Sequence, residues 1–332
     1  MHSDMTESDP MSVWSLHYAN NYLQGKYGDG EEVGLSVEKM WSLSEAVRTW
    51  TFSNAVTLEH PPHKTIRKNN AVFDVVVSDH LPFWRRLEKG KWEPGTFTVL
   101  DQLLTTDSVY FDIGTWIGPT LMYAAHKADI CYGFEPDPLA FRELECNLKL
   151  NAHTAWAKNI LIENKAVSNQ NGSIVLSSRG EGGDSMSSTI LNRSESQQHW
   201  NVETTDLVAA LSPLAGKNRH VLLKIDIEGG EYELLPAVSG RLKDSGCDIC
   251  LSLHPEIYLK SISPDISDGV SSRLRARIKL ALMHWHIYRM MPHRPRTKDG
   301  RRIWIFREIC KCLSGVKPEK DWVSAKIWSS GN

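Results

Sequence analysis

Val109-Tyr110-Phe111-Asp112-Ile113-Gly114-Thr115-Trp116-Ile117-Gly118-Pro119 decides the fold. A short β-rich run stops at a glycine, and a second glycine four residues on precedes a proline. From Pro119 to Ala128, Leu121, Tyr123 or Ala124, and Ala128 recur at helical spacing. The unit then repeats. Ile130-Cys131-Tyr132-Gly133-Phe134 reads as the next strand and ends at Glu135. Asp137 reads as an N-cap and Pro138 as a first helical residue, with Phe141, Leu144 and Leu148 on one face behind them.

Further strands are expected at Asn159–Val167, Val221–Ile227 and Asp248–Leu253, with a short helix at Glu231–Val238. Parallel strands need a helical crossover, so this alternation predicts an α/β fold with a doubly wound, mostly parallel, Rossmann-like sheet. The continuous apolar runs Val221-Leu222-Leu223 and Ile249-Cys250-Leu251 suit strands covered on both faces. After a helical stretch at Gly269–Trp285, His286–Met290 and Arg301–Phe306 flank a turn rich in Pro, Arg, Lys, Asp and Gly. They read as an antiparallel hairpin that closes the sheet at its C-terminal end.

Upstream, residues 1–34 read as a polar arm and 35–108 as an accessory region. The latter has a helical stretch at Val37–Ala55, a turn at His60-Pro61-Pro62-His63, a strand at Ala71–Val77 and a helix at Thr96–Leu104. Residues 109–306 form the expected catalytic domain, and 307–332 a basic tail. Ser177–Thr204 is 28 residues of mostly Ser, Gly, Asn, Gln and charge, and reads as a substrate lid or a mobile insertion.

The 332 residues are 41% hydrophobic and 23% charged, an ordinary globular balance. No apolar run approaches the roughly 20 residues that span a bilayer. The opening residues lack the basic-then-apolar pattern of a signal peptide, and six cysteines are too few for a disulfide framework. A reducing, cytoplasmic compartment is therefore expected. From Ser261 to Asn332 there are 15 Lys and Arg against 6 Asp and Glu, so the near-neutral total hides a basic end. Such an end either attracts phosphate or anionic lipid or is a solvated outer face.

Ligands of open α/β sheets bind beyond the carboxyl ends of the strands. Those ends gather Asp112-Ile113-Gly114, Glu135, Ala166, Asp226-Ile227-Glu228 and His254. Gly114 lets backbone approach a ligand, and Gly118 lets the next helix pack near its strand. Glu135, 21 residues after Gly114, is placed to accept hydrogen bonds from both ribose hydroxyls of a nucleoside. A pyrophosphate favours three glycines, but Thr115-Trp116, with its bulky indole, stands where the second would be. A phosphate-free nucleoside such as S-adenosylmethionine suits that turn better.

Phe111 to Pro119, Gly133-Phe134-Glu135-Pro136, Asn164-Lys165-Ala166-Val167-Ser168 and Lys224-Ile225-Asp226-Ile227-Glu228-Gly229-Gly230-Glu231 resemble the FkbM-type S-adenosylmethionine-dependent methyltransferases. The resemblance covers roughly Trp92 to Glu256. Lys224 to Glu231 is its most specific piece. The chain departs from the common family pattern at Thr115-Trp116, where Ala-Asn is usual, and its basic end matches nothing specific. The resemblance implies that Asp112 and Gly114 line the methionine end, Glu135 and Pro136 the ribose, and the backbone of Lys165 and Ala166 the adenine. Thr115, Trp116 and Gly118 complete the cofactor turn. Asp226 and Glu228 would face the reacting methyl. It also implies a hydroxyl acceptor, a sugar, lipid or other small molecule.

Methyl transfer is an in-line displacement governed by alignment, and an alcohol acceptor must lose its proton. Asp226 is the first choice for that base, with His254 and Glu256 next; the catalytic set is Asp226, Glu228 and His254. Asp226, His254 and Glu256 together offer ligands a divalent ion can use, although no metal is assigned. Lys224 reads as a snorkelling or carboxylate-paired residue, and Glu231 as an acid favoured in the first turn of a helix. Cys247 and Cys250 read as core residues, not zinc ligands.

Two rivals remain. Arg273, Arg275, Arg277, Arg294, Arg296, Arg301 and Arg302, with Trp285, Tyr288 and Trp304, suit an RNA methyltransferase that binds phosphate and stacks bases. Against it, Ile227-Glu228-Gly229 stands where an Asn/Asp-Pro-Pro-aromatic run serves base methylation. A catalytically silent cofactor-binding module has no chemical reason to keep Asp226 with Glu228.

Overall fold

The computed structural model describes residues 62–178, 183, 187–189, 198–211, 219–262, 270–290, 301–316, 318 and 321–324. The polar arm, the helical stretch at Val37–Ala55 and the His60-Pro61 part of the expected turn lie outside them. The chain forms two compact units, Met1–Trp92 and Glu93–Asn332.

In the first unit, β1 (His63–Lys68) and β2 (Ala71–Val76) form an antiparallel hairpin with His63 opposite Val76 and Lys68 opposite Ala71. The turn between them places Asn69 at φ 48°, a left-handed conformation that asparagine tolerates. Helix α1 (Leu81–Glu88) follows and buries Leu81, Trp84 and Leu87 on one face. Phe73 and Trp84 meet edge to face with ring centres 5.8 Å apart.

In the second unit, α2 (Pro94–Leu103) leads into β3 (Val109–Ile113), all five residues of which are buried. Then come α3 (Pro119–Ala125), β4 (Ile130–Phe134), α4 (Pro138–Leu150) and β5 (Ile160–Glu163). Asp137 caps α4 as expected, accepting the N–H groups of Leu139 and Ala140 at 2.8 and 3.3 Å. After three further strands and α5 (Leu207–Leu211), β9 (Val221–Ile225), α6 (Glu231–Ser245) and β10 (Asp248–Ser252) complete the parallel core.

The six-stranded order is β11-β10-β9-β3-β4-β5, parallel except for β11 (Asp321–Ser324), which runs antiparallel to β10. Its central strands are buried on both faces, which explains their unbroken apolar runs. The core joins Phe111, Phe134, Leu223, Ile225 and Leu251 of the sheet to Tyr232 and Val238 of α6 and Leu280 and Ile287 of α8 (Val270–Met290).

Three elements differ from expectation. The sheet does close with an antiparallel C-terminal strand, but β11 supplies it. His286–Met290 ends α8, and Arg301–Phe306 begins α9 (Arg301–Ser314). In α8, Ala276, Leu280, Ala281, His284 and Ile287 are buried at helical spacing, a period that continues through the segment read as a strand.

Second, the expected Asn159–Val167 strand is two strands. β5 pairs with β4, whereas β6 (Ala166–Ser168) belongs to a separate three-stranded sheet of order β6-β8-β7. The break falls at Asn164, whose side-chain amide donates to the carbonyls of Glu135 and Pro136 at 2.8 and 3.2 Å and draws the chain off the main sheet.

Third, Ser177–Thr204 is strand at both ends. β7 (Gly172–Ser178) and β8 (Gln198–Asp206) pair antiparallel, with Leu176 and Val202 in a small core beside Ala166.

Candidate active site

Strand β3 pairs with β4 on one side and β9 on the other, so the strand order turns back at the carboxyl end of β3. In such folds that crevice is where ligands bind. Two loops press together there. The Asp226 N–H donates to the Ile113 carbonyl at 2.9 Å, and Gly114 follows at φ 81°. A Cβ on Gly114 would overlap the Asp226 carbonyl oxygen, so this position requires glycine for both its conformation and its space. Asp226 is thereby fixed beside the end of β3.

Four backbone N–H groups of the turn from Gly114 to Gly118 are engaged within the protein. Gly114 and Thr115 donate to the Phe134 carbonyl at 3.0 and 3.2 Å, and Gly118 to the Thr115 carbonyl at 3.0 Å. Trp116, at φ 52°, donates its N–H to Glu135 Oε2 at 2.7 Å. The Thr115 hydroxyl, itself buried, closes the turn on the Asp112 carbonyl at 2.9 Å. Gly118 meets α4 so closely that a Cβ would lie 2.7 Å from Leu144 Cδ1.

Glu135 is 7% exposed and accepts a second N–H, from Asp137, at 2.8 Å on Oε1. Each of its oxygens keeps a lone pair for another donor. Burial pushes its carboxyl up to about 8, against the pull of the Asp137 and Trp116 N–H groups. Lys165 pairs with Glu163 at 2.9 Å beside the Asn164 turn, and Ala166 is buried at the start of β6.

The described residues of the segment after β7 are hydrogen-bonded to this rim. Asp137 Oδ2 accepts the Gly183 N–H at 2.9 Å and the Ser187 hydroxyl at 2.7 Å. The Trp116 indole donates to the Gly183 carbonyl at 2.8 Å, and the Ser188 hydroxyl to the Glu228 carbonyl. Asp137 is thus more than the helix cap that its sequence position suggested.

Asp112 is fully buried at the end of β3 and accepts the Thr120 hydroxyl at 2.6 Å and the Lys224 ammonium at 3.3 Å. The same ammonium lies 3.5 Å from Asp226 Oδ2. Burial works against the charge on Lys224, but Asp112 and then Asp226 outweigh it and hold the amine protonated. Lys224 therefore sits between the two acids as a counter-ion and does not snorkel.

Asp226, Glu228 and His254 come together. His254 Nε2 lies 3.5 Å from Asp226 Oδ1 and 3.4 Å from Glu228 Oε1. Its other ring nitrogen, Nδ1, is 3.1 Å from Glu231 Oε1. Burial lowers the His254 pKa, yet Glu231, Glu228 and Asp226 together raise it above the ordinary imidazole range. Glu228 adopts φ 49° and Gly229 φ 98°, a bend held by Glu231, which accepts the N–H groups of Ile227 at 2.7 Å and Gly229 at 2.9 Å. Strain of this kind concentrates at functional sites.

Sequence reasoning gave Glu231 only the role of a first-turn acid. Its burial and three partners make it the organiser of the loop. The Glu-Gly-Gly-Glu spacing, which returns a carboxylate to the turn behind it, is the signal that was present. Glu256 does not join the cluster: it is exposed in the first turn of α7 (Pro255–Ile262), and Glu228 takes the position expected of it.

At the basic end, Arg273 and Arg275 are exposed on α8, and Trp285 stacks with Tyr288 at 6.3 Å. Arg294 and Arg296, and the side chains of Arg301, Arg302 and Trp304, lie outside the described residues. Cys247 and Cys250 are buried, and burial pushes the Cys247 thiol up to about 11, as suits a core residue. No helix among the described residues is long and apolar enough to cross a membrane.

The family model of the methyltransferase FkbM domain matches residues 112–262, beginning at the buried aspartate of β3 and ending with α7. No curated protein matches the chain. Among solved structures, it is similar to a methyltransferase FkbM from Methylobacillus flagellatus KT, with 13% identity and a TM-score of 0.32 over 68% of this chain and 55% of that one. A precorrin-6y C5,15-methyltransferase from Geobacter metallireducens GS-15 matches at 15% identity and a TM-score of 0.28, over 51% of this chain and 70% of that one. The chain spans little more than half the length of the first of these. From Asp112 to Ile262, around the rim where the two acidic loops meet, the chain matches the methyltransferase FkbM domain.

Proposed function

We propose that the protein is an S-adenosylmethionine-dependent methyltransferase that methylates a hydroxyl oxygen of a small-molecule acceptor of the sugar or lipid class. The observation that carries this reading is the Gly114–Gly118 turn. A pyrophosphate site needs free backbone N–H groups at the start of a helix. Here the N–H groups of Gly114, Thr115, Trp116 and Gly118 are all engaged within the protein. A ribose without phosphate fits this rim, because the Glu135 oxygens still have capacity to accept its hydroxyls. When bound, S-adenosylmethionine supplies an electrophilic methyl on a positively charged sulfur.

Asp112 and Asp226, bridged by Lys224, make the neighbouring end of the crevice acidic and suit a cationic ligand there. Asp226 and Glu228 orient the acceptor hydroxyl, and Asp226 takes its proton as the new carbon–oxygen bond forms. His254, fixed by Glu231, holds these carboxylates in place. Lys224, 3.5 Å from Asp226 Oδ2, pairs with this carboxylate and helps to hold it in place. Six cysteines in 332 residues, too few for a disulfide framework, suit a reducing, cytoplasmic setting.

Incubation with methyl-labelled cofactor and separate sugar, lipid and RNA pools tests the reading. Label is expected in a sugar or lipid fraction, in an alkali-stable ether. Label in RNA alone would favour a phosphate-binding basic end, and label in none, with the cofactor bound, a silent module. Asp226→Asn is expected to cut turnover far more than cofactor affinity; equal loss of both would move Asp226 into the cofactor site.

A further inference from the structure

The geometry points to a divalent-cation site formed by Asp226, Glu228 and His254. Their ligand atoms, one from each residue, lie within 4.8 Å of one another. Acidic clusters without metal are common, so the histidine carries the weight. His254 is 5% exposed, and its Nε2 is buried without a hydrogen bond. That atom is aimed between the two carboxylates, at 3.4 and 3.5 Å. These separations exceed a charge-assisted N–H···O bond of about 2.7–2.9 Å. They match the edge of a tetrahedron of ligands about 2.1 Å from a central ion, which is about 3.4 Å.

The other ring nitrogen supports the same conclusion. Nδ1 is held by Glu231, so the ring is oriented with Nε2 toward two anionic oxygens. That space suits a cation, and a metal ion binding at Nε2 would displace any proton there. The carboxylate–histidine pair is also the arrangement that orients metal-bound imidazoles. Two carboxylates and one imidazole suit Mn2+ or Zn2+ better than Ca2+, which takes only oxygen ligands. The histidine is fixed at the end of β10 and the acids at the end of β9, so the site draws on adjacent strands of the sheet.

The consequence for catalysis rests on the proposed methyltransferase reading: an ion held here would polarise the acceptor hydroxyl beside Asp226. Binding of the ion does not depend on that reading. Calorimetric titration of the metal-stripped full chain with Mn2+, and with Zn2+ and Mg2+ for comparison, tests it, with S-adenosylhomocysteine titrated into the same preparation. One saturable ion per chain is expected, weakened at least about tenfold in Glu228→Gln, with a fold unchanged by circular dichroism. Glu228 is part-exposed, and a rise in melting temperature with Mn2+ for the natural chain gives a second readout. No saturable heat from any of the three ions, or equal binding by Glu228→Gln, would overturn the site. Ion binding without S-adenosylhomocysteine binding would leave the metal site standing and reject the methyltransferase reading. The reverse result would do the opposite.

Discussion

Glu231 and His254 face each other across the ends of β9 and β10, with Oε1 3.1 Å from Nδ1, and the same carboxylate holds the backbone of Ile227 and Gly229. One buried acid thus sets both the bend that carries Glu228 and the direction of the histidine ring. Glu231→Gln keeps the size but offers one acceptor where several donors converge. A stability loss of about 1–3 kcal/mol is expected by urea unfolding, with turnover falling more than cofactor affinity. Unchanged turnover would remove Glu231 from its role in positioning the site.

Lys224 is the counter-ion of two acids. In Lys224→Met the buried Asp112 loses its compensating charge, and about 3–5 kcal/mol of stability should be lost. The double variant Lys224→Met with Asp112→Asn should recover much of that loss, because no lone charge is left buried. A double variant no better than the single one would mean that Lys224 acts through packing alone.

Gly114→Ala places a methyl group on the Asp226 carbonyl and forces alanine into a left-handed conformation. The loops after β3 and β9 must then separate. Loss of cofactor binding is expected, with a fall in stability on the order of 2 kcal/mol or more. Binding retained at full strength would contradict the close approach of these loops.

His284 is buried against the Tyr232 hydroxyl, 2.9 Å away, and burial lowers its pKa to about 4 although Glu308 pulls weakly upward. In the unfolded chain the imidazole titrates near 6.5. Between those values the unfolded chain binds the extra proton, so stability present above about pH 6.5 is lost as pH falls toward 4, by about 3 kcal/mol in all. His284→Gln should flatten this part of the stability profile. Equal slopes for the two proteins would show that His284 does not titrate with folding.

Much of the catalytic unit was legible in the sequence, because strands buried on both faces write themselves as apolar runs and Asp137-Pro138 marks a helix start chemically. The strand ends followed, and with them Asp226, Glu228 and His254. What was not legible depended on contacts distant in sequence. The polar alternation of Gln198–Asp206 hides a strand whose small core lies across β7 and β6. The His286–Met290 segment looks β-like alone, yet its buried Ile287 continues the stripe of a helix begun sixteen residues earlier. Glu231 looked ordinary because its partners at Ile227, Gly229 and His254 meet it only once the loop bends back.

Calorimetric titration of the full chain with S-adenosylhomocysteine and, separately, with NAD bears most directly on the phosphate-free nucleoside crevice. One equivalent of S-adenosylhomocysteine should bind saturably, Glu135→Gln should weaken it, and NAD should give no specific heat. Saturable binding of NAD at this rim, with none for S-adenosylhomocysteine or its methylated parent, would contradict the claim.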